Sequence, residues 1–188
     1  MYYICIMAAA RPIKAPRRAA PPYPTADRRA ATTIAYRITD FPMHYFAAIR
    51  WYNQSSFGRM LRGCGLTVPA WRALAALHLK DGQTIGEVAQ LAVVDRSSLG
   101  RLLDGMAKSG LVERTPLPDD RRAVLIRLSA KGRRLFEDNV PRVQQHYHKL
   151  LKGVAPEEFE TLMRVLRRMK ANAQMMADPL EVSAQGRS

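Results

Sequence analysis

The run Thr84-Ile85-Gly86-Glu87-Val88-Ala89-Gln90-Leu91-Ala92-Val93-Val94-Asp95-Arg96-Ser97-Ser98-Leu99-Gly100-Arg101-Leu102-Leu103 decides the fold. Thr84 and Glu87 have the spacing of a capping box, in which hydroxyl and carboxylate each satisfy an unpaired backbone donor at the head of a helix. That helix runs through Val88, Ala89 and Ala92. Val93-Val94 leaves room only for a turn, and Asp95 caps the next helix, whose inner face is Leu99, Leu102, Leu103 and Met106 at helical spacing. Gly110 stands where the left-handed residue after a helix belongs. Ser97, Ser98, Arg101, Asp104 and Lys108 form the outer face. Two short helices joined by a tight turn make a helix-turn-helix.

Downstream, Leu111–Thr115 and Ala123–Leu128 suit strands, and Pro116-Leu117-Pro118-Asp119-Asp120-Arg121-Arg122 between them is rich in turn formers and basic at its end. This predicts a hairpin with a charged tip, the wing of a winged helix-turn-helix. Ser129 caps a long helix carrying Leu135, Phe136, Val140, Val143, Tyr147, Leu150 and Leu151, which Pro141 is expected to kink or interrupt, and which Gly153 ends. Pro156 opens a last helix striped with Phe159, Leu162, Met163, Leu166 and Met169. Upstream, Thr67 caps a helix bearing Pro69, Trp71, Leu74, Ala75 and His78, ended by Asp81-Gly82. Before that, Asp40 is the expected cap of a first helix with Pro42 in its first turn and Phe46, Ile49, Phe57, Met60, Leu61 and Cys64 in its stripe. The expected fold class is therefore mostly α with a small β-hairpin wing: a winged helix-turn-helix over residues 66–132 and a helical dimerisation region from 40–63 and 130–176, together a domain at 39–176. The long apolar stripes of the first, fifth and sixth helices have no other domain to cover them, so a homodimer is expected.

The 188 residues make one domain of ordinary size plus a tail, with 30 Lys and Arg against 16 Asp and Glu, a formal charge of +14. That balance points to a polyanionic partner. Residues 1–38 carry seven basic residues against the single acid Asp27 and hold five of the twelve prolines, without a period able to bury a face. They read as a disordered basic arm, and residues 177–188 as a flexible tail. Two cysteines, Cys5 and Cys64, build neither a disulfide framework nor a zinc site, which fits a reducing, cytoplasmic setting. No apolar run reaches membrane-helix length, so no membrane partner is expected. No cofactor or metal is called for either. His146 and His148, two apart on a helix, face away from each other and defeat chelation within one chain.

Groove insertion requires small polar side chains early in the second helix and long cations for phosphates and guanine edges; Arg96, Ser97, Ser98 and Arg101 supply both. These residues, with the wing pattern D-x-R-x5-L-[ST]-x-x-G met by Asp120, Arg122, Leu128, Ser129 and Gly132, and with Leu66-Thr67, Thr84-x-x-Glu87-Val88-Ala89 and Lys108-Ser109-Gly110-Leu111-Val112-Glu113-Arg114, resemble the MarR (multiple antibiotic resistance regulator) family over about residues 40–175. Ala70-Trp71 departs from the family pattern. The resemblance implies a sequence-specific regulator, a repressor by default, bound as an interlocked homodimer to a pseudo-palindromic double-stranded DNA operator. It puts Arg122 in the minor groove with Asp120 ordering the wing behind it and Arg121 as an additional cation, and it implies release of DNA by a small aromatic acid beneath the winged helix. His44, Arg50, Trp51, Tyr52 and Trp71 are the candidates there, since rings give flat walls and a guanidinium grips a carboxylate.

Two competing readings remain at this point. A nucleoid-like architectural protein would use the same charge without choosing bases, and a redox-sensing regulator would act through Cys64. Cys64 extends the stripe of Phe57 and Met60 with only Arg62 as a nearby cation, which favours an inert buried thiol. An enzyme is disfavoured because no nucleophile elbow, phosphate loop or metal-binding helix occurs.

Overall fold

The computed structural model describes residues 37–116 and 124–177, which belong to two units, residues 1–45 and 46–188. In the first unit the 3-10 turn Ile38–Asp40 precedes the opening of helix α1 (Pro42–Arg62). Asp40 thus closes a turn, its N–H donating to the Arg37 carbonyl at 2.9 Å, instead of capping α1 as expected. Pro42 opens that helix, where its missing N–H costs nothing.

The second unit holds the rest of α1 and then α2 (Val68–Leu79), β1 (Gln83–Thr84), α3 (Ile85–Ala92), α4 (Arg96–Lys108), β2 (Val112–Pro116), β3 (Val124–Leu128), α5 (Ala130–Leu150) and α6 (Pro156–Met176). Side chains start most of these helices as the sequence predicts. Thr67 accepts from Ala70 N, Asp95 from Ser98 N at 2.8 Å and Ser129 from Gly132 N at 2.9 Å. The Thr84–Glu87 box is closed in both directions. Ala155 offers no cap, but the Glu158 carboxylate accepts its N–H at 2.8 Å.

The sheet has three antiparallel strands in the order β1-β3-β2. The hairpin pairs Val112 with Leu128 and Arg114 with Ile126. The third strand, β1, was not read from the sequence; two residues are too few for an alternating pattern. Gln83, opposite Ile126, is only 2% exposed, and its side-chain amide donates to the carbonyls of Ala76 and Lys80 at the end of α2, the first of which also accepts the Lys80 N–H. Pro141 neither breaks nor ends α5, which is continuous through it. The ring is exposed while Phe136, Asn139 and Val143 on either side are buried, so packing holds both halves in place despite the lost backbone bond.

Leu61, Leu74, Leu77, Val88, Leu99, Leu103 and Ile126 are the fully buried centre. Every one comes from α1–α4 or the sheet. Helix α6 buries no residue. The corner between β3 and α5 explains the L-S-x-x-G spacing physically. The Ser129 hydroxyl donates to the Gly110 carbonyl at 2.6 Å while accepting the Gly132 N–H, and the Ser129 N–H donates to Leu111 O. The turn between α3 and α4 is less comfortable, because Val93 has φ 53° and is the one non-glycine residue with positive φ among those described. A β-branched side chain there is strained, and at 75% exposed it recovers no burial. Among the described residues no helix is long and apolar enough to cross a membrane.

Candidate nucleic-acid interface and adjoining cavity

Helix α4 presents Ser97, Ser98, Arg101, Asp104 and Lys108 to solvent. Its start is fixed by Asp95, whose carboxylate receives the Ser98 N–H and, at 2.7 Å, the Ser97 hydroxyl. The Ser98 backbone bond, then the Ser97 and Ser98 side chains, hold the Asp95 pKa down at about 2, because each donor favours the charged form. Arg96 behaves differently from its neighbours. It is half-buried, and a Cβ built on Gly86 would meet its guanidinium at 4.0 Å, so Arg96 leans over the first turn of α3 and away from the face of Ser97, Ser98 and Arg101. Asp104 is paired with Arg114 of β2. Asp120, Arg121 and Arg122 fall outside the described residues.

The start of helix α3 is tied to the end of α2 by a second depressed carboxylate. Glu87 sits at about 2 because of the Thr84 N–H first and the Lys80 ammonium and Thr84 hydroxyl after it; Lys80 Nζ is 3.0 Å away. Asp81 joins the end of α2 to the wing, accepting the Leu128 N–H at 3.0 Å and facing Arg127 at 3.4 Å.

A cavity of about 640 Å³ opens between α1, α2, α3 and α5. Arg50, Trp71, Arg72 and Tyr147 line it, and Leu91–Val93 form its wall toward α4. Two of the expected residues, Arg50 and Trp71, therefore meet. Trp71 does so by its edge, since it is 8% exposed and stacks on Phe136 at 4.7 Å and 23°; the expected free flat wall is a core ring. Trp51, 77% exposed, lines a different cavity of about 600 Å³ with Tyr52 and Arg62. His44 lines neither; its ring meets that of Tyr45 edge-on at 5.4 Å. Arg72 was missed, although Val68, Trp71, Arg72, Ala75 and Leu79 recur at the period of one face of α2.

The thiol also differs from expectation. Cys64 is half-buried, and its Sγ accepts a hydrogen bond from Arg142 Nη1 at 3.2 Å, so its cation comes from α5 and not from Arg62. His146 Nε2 donates to Asn53 Oδ1 at 2.6 Å and its ring packs on Phe57. On α6, Phe159, Met163, Leu166 and Met169 are half-buried and Leu162 is exposed.

Comparisons with known proteins agree with this arrangement. The MarR family model matches residues 65–123. The HTH-type transcriptional repressor IacR of Pseudomonas putida is 26% identical over 131 residues, 70% of this chain and 78% of its own. The solved structure of a MarR-family transcriptional regulator from Silicibacter pomeroyi is 28% identical with a TM-score of 0.65, covering 71% of this chain and 90% of that one. Bordetella bronchiseptica BpsR, solved to explain regulation of its DNA binding by 6-hydroxynicotinic acid, shares the fold at 23% identity and a TM-score of 0.65, over 72% of this chain and 96% of that one. A capped helix-turn-helix and an antiparallel wing sheet thus coincide with a match to the MarR family model over residues 65–123, and the chain is similar in sequence and structure to MarR-family transcriptional regulators.

Proposed function

We propose that this regulator is a homodimeric, sequence-specific repressor that reads operator DNA with α4 and releases it when a small aromatic carboxylate fills the cavity of Arg50 and Arg72. The observation that carries the reading is the wall Leu91–Val93, which lines that cavity and comprises the last two residues of α3 and Val93, the turn residue leading into α4. An occupant there presses on the segment that aims the reading helix. Two guanidiniums favour a carboxylate, and the rings of Trp71 and Tyr147 favour a flat apolar body. The names of the relatives point the same way: one is a repressor, and the DNA binding of another is regulated by an aromatic acid.

In this reading Ser98 and Arg101 contact base edges, with Ser97 beside them and Arg96 steadying α3. Arg122 enters the minor groove with Asp120 behind it, and Arg121 meets phosphate. The α6 stripe of Phe159, Leu162, Met163, Leu166 and Met169 joins two copies. The chain works by binding alone, without cofactor, metal or chemical step.

The test is footprinting of the full-length protein on DNA beside its own gene, then titration with benzoate, 2-hydroxybenzoate and 6-hydroxynicotinate. The reading requires two-fold protection with half-sites about one helical turn apart, and release equivalent to about twentyfold weaker binding. Arg50→Ala should abolish release and leave DNA affinity without acid nearly unchanged. Binding spread evenly along the DNA would instead identify an architectural protein. An undiminished response in the Arg50 variant would put the effector elsewhere.

A further inference from the structure

We propose that Asp104 and Arg114 are a bracket between α4 and the wing: positioning residues that hold the angle between the two DNA-contacting elements, and not readers of bases. The inference rests on the reading of α4 as the groove helix. Asp104 lies three residues after Arg101 and seven after Ser97, so all three share one face of the helix. A bare carboxylate on that face opposes the approach of phosphates. Its partner comes from the neighbouring strand: Arg114 Nη1 bonds Asp104 Oδ1. Strand register explains the reach. Arg114 is directly opposite Ile126, opposite residues of an antiparallel pair project to the same side, and Ile126 is fully buried. The Arg114 stem therefore starts on the core side of the sheet and emerges alongside α4.

The pair is half-exposed, with side-chain exposures of 33% for Arg114 and 52% for Asp104, and such pairs add little to folding stability. Its value lies in the bound state. Once α4 excludes water, the ion pair strengthens as the local dielectric falls, and an unpaired Asp104 would sit beside phosphate charge. The pair cancels that charge and, by linking α4 to β2, fixes the spacing between the major-groove contact and the contact made by the wing. The competing role for Asp104, accepting a hydrogen bond from cytosine N4, would fall to Oδ2, since Arg114 engages Oδ1, and it predicts a loss confined to one C·G pair.

A double-variant cycle decides it, using the full chain, the duplex it selects from a random pool and a scrambled duplex, measured by fluorescence anisotropy at several salt concentrations. Arg114→Gln should weaken the scrambled duplex about tenfold, because it leaves a bare carboxylate at the interface, and the selected duplex by about fivefold more, because the bracket is broken. Asp104→Asn should leave scrambled-duplex affinity equal or higher, because a repulsive charge is gone, yet lower the selected-to-scrambled ratio about fivefold. The double variant should regain the general affinity lost in Arg114→Gln while keeping the lowered ratio, and the exchange Asp104→Arg with Arg114→Asp should restore part of the ratio. Thermal melting should stay within a few degrees of wild type throughout, and amide exchange in β2 should quicken in both single variants. Additive effects, or an Asp104→Asn loss confined to one C·G pair, would overturn the bracket while Arg101→Ala still reduces the ratio. A wild-type ratio in Arg101→Ala would overturn the groove assignment and the bracket together.

Discussion

At Gly132 the space for a side chain is already taken: a Cβ would stand 2.0 Å from the Leu111 carbonyl oxygen and 3.0 Å from its carbon. Neither atom can swing aside, being backbone at the root of the wing. Gly132→Ala should destabilise by about 2–3 kcal/mol in urea unfolding, the upper range for overpacking; a loss below about 0.5 kcal/mol would show that the corner yields. Asp95 carries a different prediction. Its folded pKa of about 2 lies below the ordinary value of 3.8, so the cap contributes in full above the ordinary carboxylate range and is lost as pH falls from about 4 through about 2. Glu87, lowered from 4.5 to about 2, follows the same sign. The Ser98 amide should therefore stay protected from exchange down to about pH 4 and lose protection below it, whereas Asp95→Asn should keep the cap and flatten the dependence. Residues whose roles are local were legible in the sequence: Thr84, Asp95 and Ser129 cap helices through neighbours three positions on, whereas the close approach that requires glycine at 132 is to Leu111, 21 positions earlier. Arg96 was not legible, since its direction depends on Gly86 of another helix, nor was the partner of Cys64, which lies 78 residues away on α5.

Elements were legible in proportion to their length. The 21-residue α5 and α6 repeat their stripe often enough to be unmistakable, while the two residues of β1 carry no period and are held by β3, a partner far along the chain. Within α5 the interruption offered as one outcome at Pro141 did not occur. A sequence rule that Pro breaks helices concerns an isolated helix, whereas here buried side chains flank the ring. The cost should still be present. Pro141→Ala restores a backbone N–H within reach of the Glu137 carbonyl and should raise stability by about 1–3 kcal/mol, part of the usual penalty for a helix-interior proline. Chemical denaturation measures it, and an unchanged midpoint would mean that the helix has adapted fully.

For the molecule as a whole, the unburied face of α6 is the feature that a single chain leaves open. Leu162→Asp and Leu166→Asp touch nothing in α4, yet on the dimer reading each should give monomers at micromolar concentration in sedimentation velocity and lose operator binding with them. A dimer that survives either charge would move the interface to other helices. The stripe was legible, and a second copy is the cover expected from it; which residues would meet across such a seam was not legible, since a sequence describes one chain.

The Ser129 corner also bears on how the protein opens. One hydroxyl serves the end of the α4 segment at Gly110 and the first turn of α5 at Gly132, while the Ser129 amide closes on Leu111. Releasing α5 therefore leaves the carbonyls of Gly110 and Leu111 without their donors, and fraying of β3 strips α5 of its cap. Wing and helix are thus tied into one cooperative unit for sub-global unfolding, in which the amides of Leu128, Ser129 and Gly132 share a single opening free energy, set by the corner and not by the strength of either element alone.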